Sequence, residues 1–345
     1  MSQPVIHKLR LSSPGDLVEA VPYLLGFHPE DSLVALALRG RRRRLAFTMR
    51  IDLPDPGADM AHLADDIADC LARAGAEQAA FVVVGNTAAG YTGRPHDALI
   101  EAVALALPER QIELTEAVYS GAGRWWSYTC GNPVCCPVEG TPTAAHGTSR
   151  VAAAATYAGL VALPSREALE QSLEPIGDAA QAMRPALISA VRAAARAAEP
   201  AERAAIRSGS IASIMAAIDD EPALSDEAAA RLIVSLADVG VRDACCQWSQ
   251  TPRSASARRL WTQLARRAAA PFDSAPLCLL AWFAYLDGDA TLAAMAVGRC
   301  LRSDPDHRLA VLLQEALHRG IDPLVLRRDL AALGEDRADG SSLTG

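Results

Sequence analysis

The stretch LAFTMRIDLPDPGADMAHLADDIADCLARAGAEQAAFVVV, residues 45–84, decides the fold class of the first part of the chain. Leu45, Phe47, Met49, Ile51 and Leu53 alternate with Ala46, Thr48, Arg50 and Asp52, the period-two pattern of a strand with one buried face. Met60, Leu63, Ile67 and Leu71 then recur at helical spacing, with Asp65, Asp66 and Asp69 on the opposite side and Gly75 as terminator. Phe81–Val84 is apolar at every position, as a strand covered on both faces requires. Strand, helix and strand predict a parallel crossover unit.

The same alternation extends outward in both directions. Toward the N-terminus, Asp31–Leu38 is a compact apolar run, separated from Leu45 by the turn Gly40-Arg41-Arg42-Arg43-Arg44. Ser13-Pro14-Gly15-Asp16 predicts a helix start, Gly26 its stop, and residues 5–11 a short first strand. Toward the C-terminus, a helix is expected over Pro95–Leu107 and a strand over Ile112–Tyr119. The expectation is an α/β domain: a mixed, mainly parallel sheet with flanking helices.

Residues 120–147 break this rhythm with glycines, prolines, Trp125, Trp126 and three cysteines. Beyond them the chain is alanine-rich and helical in period, punctuated by prolines, with Ser225-Asp226-Glu227 as a helix start. The expected organisation is an α/β domain over 1–147, an all-α domain over 148–333, and a disordered tail over 334–345. Phe283–Asp289, followed by Ala293, Val297, Cys300 and Asp304-Pro305, has the spacing of one tetratricopeptide-like hairpin. Stacked repeats need three or more units, so the hairpin is expected within a helical bundle.

Composition removes whole classes of function. Lys8 is the only lysine and lies in none of the motifs of Walker-type phosphate loops, protein kinases or Schiff-base enzymes, all of which need a placed amine. Gly-x-Ser-x-Gly, His-Glu-x-x-His and Cys-x-x-Cys are absent. A formal net charge of -8 argues against a nucleic-acid partner or an anionic membrane surface. No long apolar stretch suggests a signal peptide or a membrane span, and eight cysteines, two pairs of them adjacent, do not form a secreted disulfide pattern. A cytoplasmic protein with reduced thiols is expected.

The segments Pro22–Val34 (PYLLGFHPEDSLV), Arg50–Pro54 (RIDLP), Trp125–Cys130 (WWSYTC) and Cys135–Pro137 (CCP) together resemble a large actinobacterial family catalogued only as a domain of unknown function, family 4192. The resemblance extends to Ala281-Trp282 and Asp304-Pro305, so it covers nearly the whole chain. It implies a lineage and carries over no activity and no catalytic residue.

Two places are candidates for a site. The first lies beyond the carboxyl ends of the parallel strands, where α/β sheets hold ligands. There Arg50 and Asp52 share the polar face of one strand, and Asn86 and Thr87 follow another. The loop Gly90–Arg94 leads into a helix whose free amides suit a phosphate or carboxylate. His28, flanked by Pro29, Glu30 and Asp31, is an acid–base candidate or a shape-determining turn residue. The second place holds Cys130, Cys135 and Cys136, with His146 ten residues on. These residues allow three readings: a zinc site, a disulfide or redox pair, or packing thiols. Adjacent cysteines at one tetrahedral metal are expected to strain the backbone.

The leading expectation is a non-catalytic regulatory or interaction protein, its helical part facing a protein partner and its α/β part binding a small anionic effector. One rival is an enzyme on a small phosphorylated or carboxylated metabolite, Arg50 holding the anion and Asp52 or His28 moving a proton. The other is a metal- or redox-responsive protein using the cysteines at 130–136.

Overall fold

The computed structural model describes residues 11–55, 57–85, 94–144, 148–158, 160–196, 200–220 and 223–330. The chain divides into two compact units: Met1–Leu169 with Arg319–Asp322, and Glu170–His318 with Pro323–Gly345. The compositional break at 147/148 lies one short helix before that division. The expected tail at 334–345 and all but Leu11 of the expected first strand lie outside the described residues.

In the first unit, α1 (Pro14–Leu25) starts on Ser13, whose hydroxyl accepts from the Asp16 amide, and stops at Gly26 in the left-handed region. The hairpin of β1 (Ser32–Arg39) and β2 (Arg44–Asp52) turns through Gly40 and Arg43, both at positive φ. Then come α2 (Met60–Arg73), β3 (Gln78–Val84), α3 (Asp97–Ala106), β4 (Glu113–Gly121), β5 (Arg124–Ser127), β6 (Thr141–Pro142) and α4 (Arg150–Tyr157). The six strands form one sheet in the order β2-β1-β3-β4-β5-β6.

The expectation of a mainly parallel sheet is corrected: β3 and β4 are parallel, and the other four pairings are antiparallel. The predicted β2–α2–β3 crossover exists, but β1 lies between its two strands. The hairpin folds β1 back beside β2, and β1, buried over Ser32–Ala37, takes the inner position that an apolar run requires. The alternating β2 is left at the edge.

Helices cover both faces. Leu33, Ala35, Ala37, Phe81, Val83 and Tyr119 form one core with Ile67 and Leu71 of α2 and Leu99 and Val103 of α3. Side chains of opposite parity, such as Val34 and Val82, point to the other face, where α1 packs against β3, β4, β5 and α4.

The second unit is helical: α6 (Ala179–Ala194), α7 (Pro200–Asp220), α8 (Asp226–Ser235), α9 (Val239–Gln247), α10 (Ser254–Ala265), α11 (Ser274–Leu286), α12 (Ala290–Ser303) and α13 (Arg308–His318); α5 (Arg166–Ser172) spans the division. Apolar nearly all round, α11 is the central helix, buried at every position from Pro276 to Leu286. It forms a hairpin with α12 across Asp287-Gly288-Asp289, the Asp289 side chain capping the second helix.

Candidate functional site

Trp125 and Trp126 are adjacent on β5, so alternation sends them to opposite faces. Trp126 lies 5.6 Å from the Tyr119 ring, centroid to centroid, and its indole N–H donates to the Val138 carbonyl at 2.9 Å. Gly140, at φ +76°, sits against that ring so closely that any Cβ would collide with it. Trp125 stands beside Gly15, at the start of α1. Both indoles are buried and serve as structural anchors for the segment that follows.

That segment is aimed by Ser127, which is 3% exposed. Its Oγ accepts from the amides of Thr129 (3.2 Å) and Cys130 (3.1 Å) and donates to Glu116 Oε1 (2.9 Å). Thr129 Oγ1 also donates to Glu116 Oε1, at 2.7 Å. A register shift between β3 and β4 immediately before Glu116 re-aims that strand. Asn132 closes the next turn: its side-chain oxygen accepts from the Val134 amide (3.0 Å) and its carbonyl from the Cys136 amide (2.9 Å).

The turn carries Cys135 and Cys136 back over Cys130. Cys130 Sγ and Cys135 Sγ are 3.2 Å apart, and all three sulfurs lie within 4.8 Å of one another. The backbone therefore brings two adjacent cysteines to one point. Cys135 is exposed; Cys130 and Cys136 are half-buried. A cavity of about 260 Å³ adjoins Cys130 and Cys136, walled by both indoles and Arg94. One guanidinium nitrogen of Arg94 donates to the carbonyls of Ser127 (3.0 Å) and Tyr128 (3.2 Å).

The environment separates the thiols. The Cys130 pKa is lowered by a backbone hydrogen bond at Asn132 and then by the neighbouring thiols. Cys136 is pushed up to about 12, chiefly by burial. The remaining cysteines belong to cores: Cys70, Cys245, Cys278 and Cys300 are buried and Cys246 is half-buried. Burial raises the pKa of Cys70, Cys245 and Cys246.

The residues expected at the strand ends are arranged differently. Arg50 pairs with Asp52 at 2.6 Å and donates to the buried Ser32 hydroxyl at 2.8 Å. Ser32 in turn donates to the Glu30 carbonyl, so Arg50 braces the turn that holds His28. The His28 amide donates to the Leu163 carbonyl at 2.9 Å, fixing the other side of the turn. His28, with Glu19, Tyr23 and Glu30, lines a second cavity of about 320 Å³ beside Val84 and Ser120, at the carboxyl ends of β3 and β4. Neither Arg50 nor Asp52 lines it. Asn86, Thr87 and His146 lie outside the described residues.

Sequence reasoning did not single out Ser127, Glu116 or Asn132. Asn132-Pro133 carries a turn signal, but nothing in the linear pattern marks Glu116, whose role depends on strand pairing.

The family described as Domain of unknown function (DUF4192) matches residues 14–324. The chain belongs to this family. Its match takes in the α/β unit's sheet, the cysteine segment and α6 to α13. No curated protein and no solved structure matches the chain. The family assignment thus brings no chemistry with it, and the reading of this DUF4192 member rests on its own residues. No helix among the described residues is long and apolar enough to cross a membrane.

Proposed function

We propose that this DUF4192 member is a non-catalytic, redox-responsive regulatory protein in which Cys130 and Cys135 close a disulfide when a hydroperoxide oxidises one of them. The 3.2 Å separation of their sulfurs carries the reading: about 1.2 Å of approach brings them to a bond of roughly 2.05 Å. Cys130, half-buried and with its pKa lowered, is oxidised first. Its thiolate sulfur attacks one peroxide oxygen, the O–O bond breaks, and hydroxide leaves to become water, giving a sulfenic acid. The Cys135 sulfur then attacks that sulfur; the S–S bond forms, the S–O bond breaks, and a second water departs. Two thiols lose two electrons and the peroxide gains them. The short loop between the cysteines takes up the movement, so the oxidised and reduced forms differ in the shape of the 130–136 surface.

The test is to treat the reduced full-length protein with hydrogen peroxide and map its disulfides by mass spectrometry. A Cys130–Cys135 bond is expected in wild type and absent in Cys135→Ser. Oxidation confined to other cysteines, or thiol oxidation at an unchanged rate in Cys130→Ser, would sink the proposal.

A further inference from the structure

The disulfide uses two sulfurs, and the turn delivers three. Cys136 could pack its side chain away from the pair, as adjacent residues usually do, yet its sulfur lies within 4.8 Å of both others. We infer that in the reduced protein Cys130, Cys135 and Cys136 together hold one thiophilic divalent cation of the zinc class. A tetrahedral zinc with Zn–S bonds of about 2.3 Å keeps its sulfurs roughly 3.8 Å apart. The Cys130 and Cys135 sulfurs, at 3.2 Å, need separate by only about 0.6 Å to reach it, and the Cys136 sulfur lies within 4.8 Å of both.

The ligand type selects the ion. Three sulfurs favour a soft or borderline cation and disfavour magnesium and calcium, which take oxygen ligands. Support for the ligands is already in place: the Ser127 hydroxyl fixes the Cys130 amide and the Asn132 carbonyl fixes the Cys136 amide. These bonds fix the backbone from which the Cys130 and Cys136 side chains project. Among the described residues the cluster supplies three ligands. The fourth position is left to water or to a group entering from the adjoining cavity of about 260 Å³, which Cys130 and Cys136 both line. The inference rests on the three-sulfur geometry of the reduced protein alone, whether or not Cys130 and Cys135 later form a disulfide.

The experiment is an anaerobic titration of the reduced, metal-free, full-length protein with zinc against a chromophoric chelator, repeated with cobalt(II) to record sulfur-to-metal charge-transfer absorption. One ion per chain is expected, with charge transfer from thiolates. Cys136→Ser should weaken zinc binding by no less than the roughly 10- to 100-fold that loss of a supporting contact costs at metal sites, while still forming the Cys130–Cys135 disulfide with peroxide. A variant with all three cysteines changed to serine, checked for folding by circular dichroism, reports any binding by the other five. Wild-type binding no stronger than in that triple variant overturns the inference, as does Cys136→Ser binding equal to wild type. Zinc binding without disulfide formation would instead overturn the redox proposal alone.

Discussion

Ser127 is the residue on which the cysteine cluster turns. Its hydroxyl joins the Cys130 amide to the Glu116 carboxylate from a position almost closed to solvent. Replacing it with alanine removes the donor to Glu116 and leaves two amides without their acceptor. We expect Ser127→Ala to destabilise the protein by about 1–3 kcal/mol and to slow Cys130–Cys135 closure. Urea unfolding and the rate of peroxide-driven disulfide formation measure the two effects; stability and rate both equal to wild type would show that Cys130 is held by other means. The charged pair seen in the sequence, Arg50 and Asp52, is held by its own ion pair and by the Ser32 hydroxyl. At this scale the residue types were legible, and their partners were not.

Among the elements, α9 shows most clearly how a start is secured. Asp238 caps it, accepting from the amides of Gly240 and Val241, and forms an ion pair with Arg207 at 3.0 Å. Burial, the largest influence on its carboxyl, pushes the pKa up, but the Arg207 hydrogen bond and the two amides outweigh it and hold the value below normal. A carboxyl depressed in the folded state contributes stability above its unfolded value of about 3.9 and loses it as pH falls through the folded value. Asp238→Ala should therefore cost about 0.5–2 kcal/mol at neutral pH. The difference from wild type should shrink in acid, below the folded pKa. Thermal unfolding across that range checks it, and a pH-independent difference would assign the effect to packing alone. Such caps were visible in the sequence at Ser13 and Ser225, where a hydroxyl precedes an apolar-periodic run. The cap at Asp238 was not, because alanine-rich helices joined by short turns blur one another's starts.

At the scale of the molecule, each unit rests on its own core. In the helical unit, Trp261 is fully buried and meets Phe283 of α11 edge-on, with centroids 6.1 Å apart. Trp261→Ala should destabilise that unit by about 3–5 kcal/mol. Calorimetry of the full chain should show the corresponding drop in Tm; a change below about 1 kcal/mol would mean the surrounding helices collapse into the space.

The sequence by itself determined most of the elements, since hydrophobic period and caps report which face of each short segment is buried, but not β5 and β6, which lie in the 120–147 segment that reads as a break. It placed α1 between Ser13 and Gly26, the β1–β2 turn at the arginines, and helices throughout the second unit. Only the tertiary structure decided which strands pair. An apolar run says that a strand is covered, not by what, so β1 could be recognised as buried without its place between β2 and β3 being known. The cysteine segment follows the same logic. Three thiols within seven residues were evident from the chain, but their convergence depends on Ser127, Glu116 and the Asn132 turn. Those contacts link a strand to a loop through pairing that no local pattern encodes.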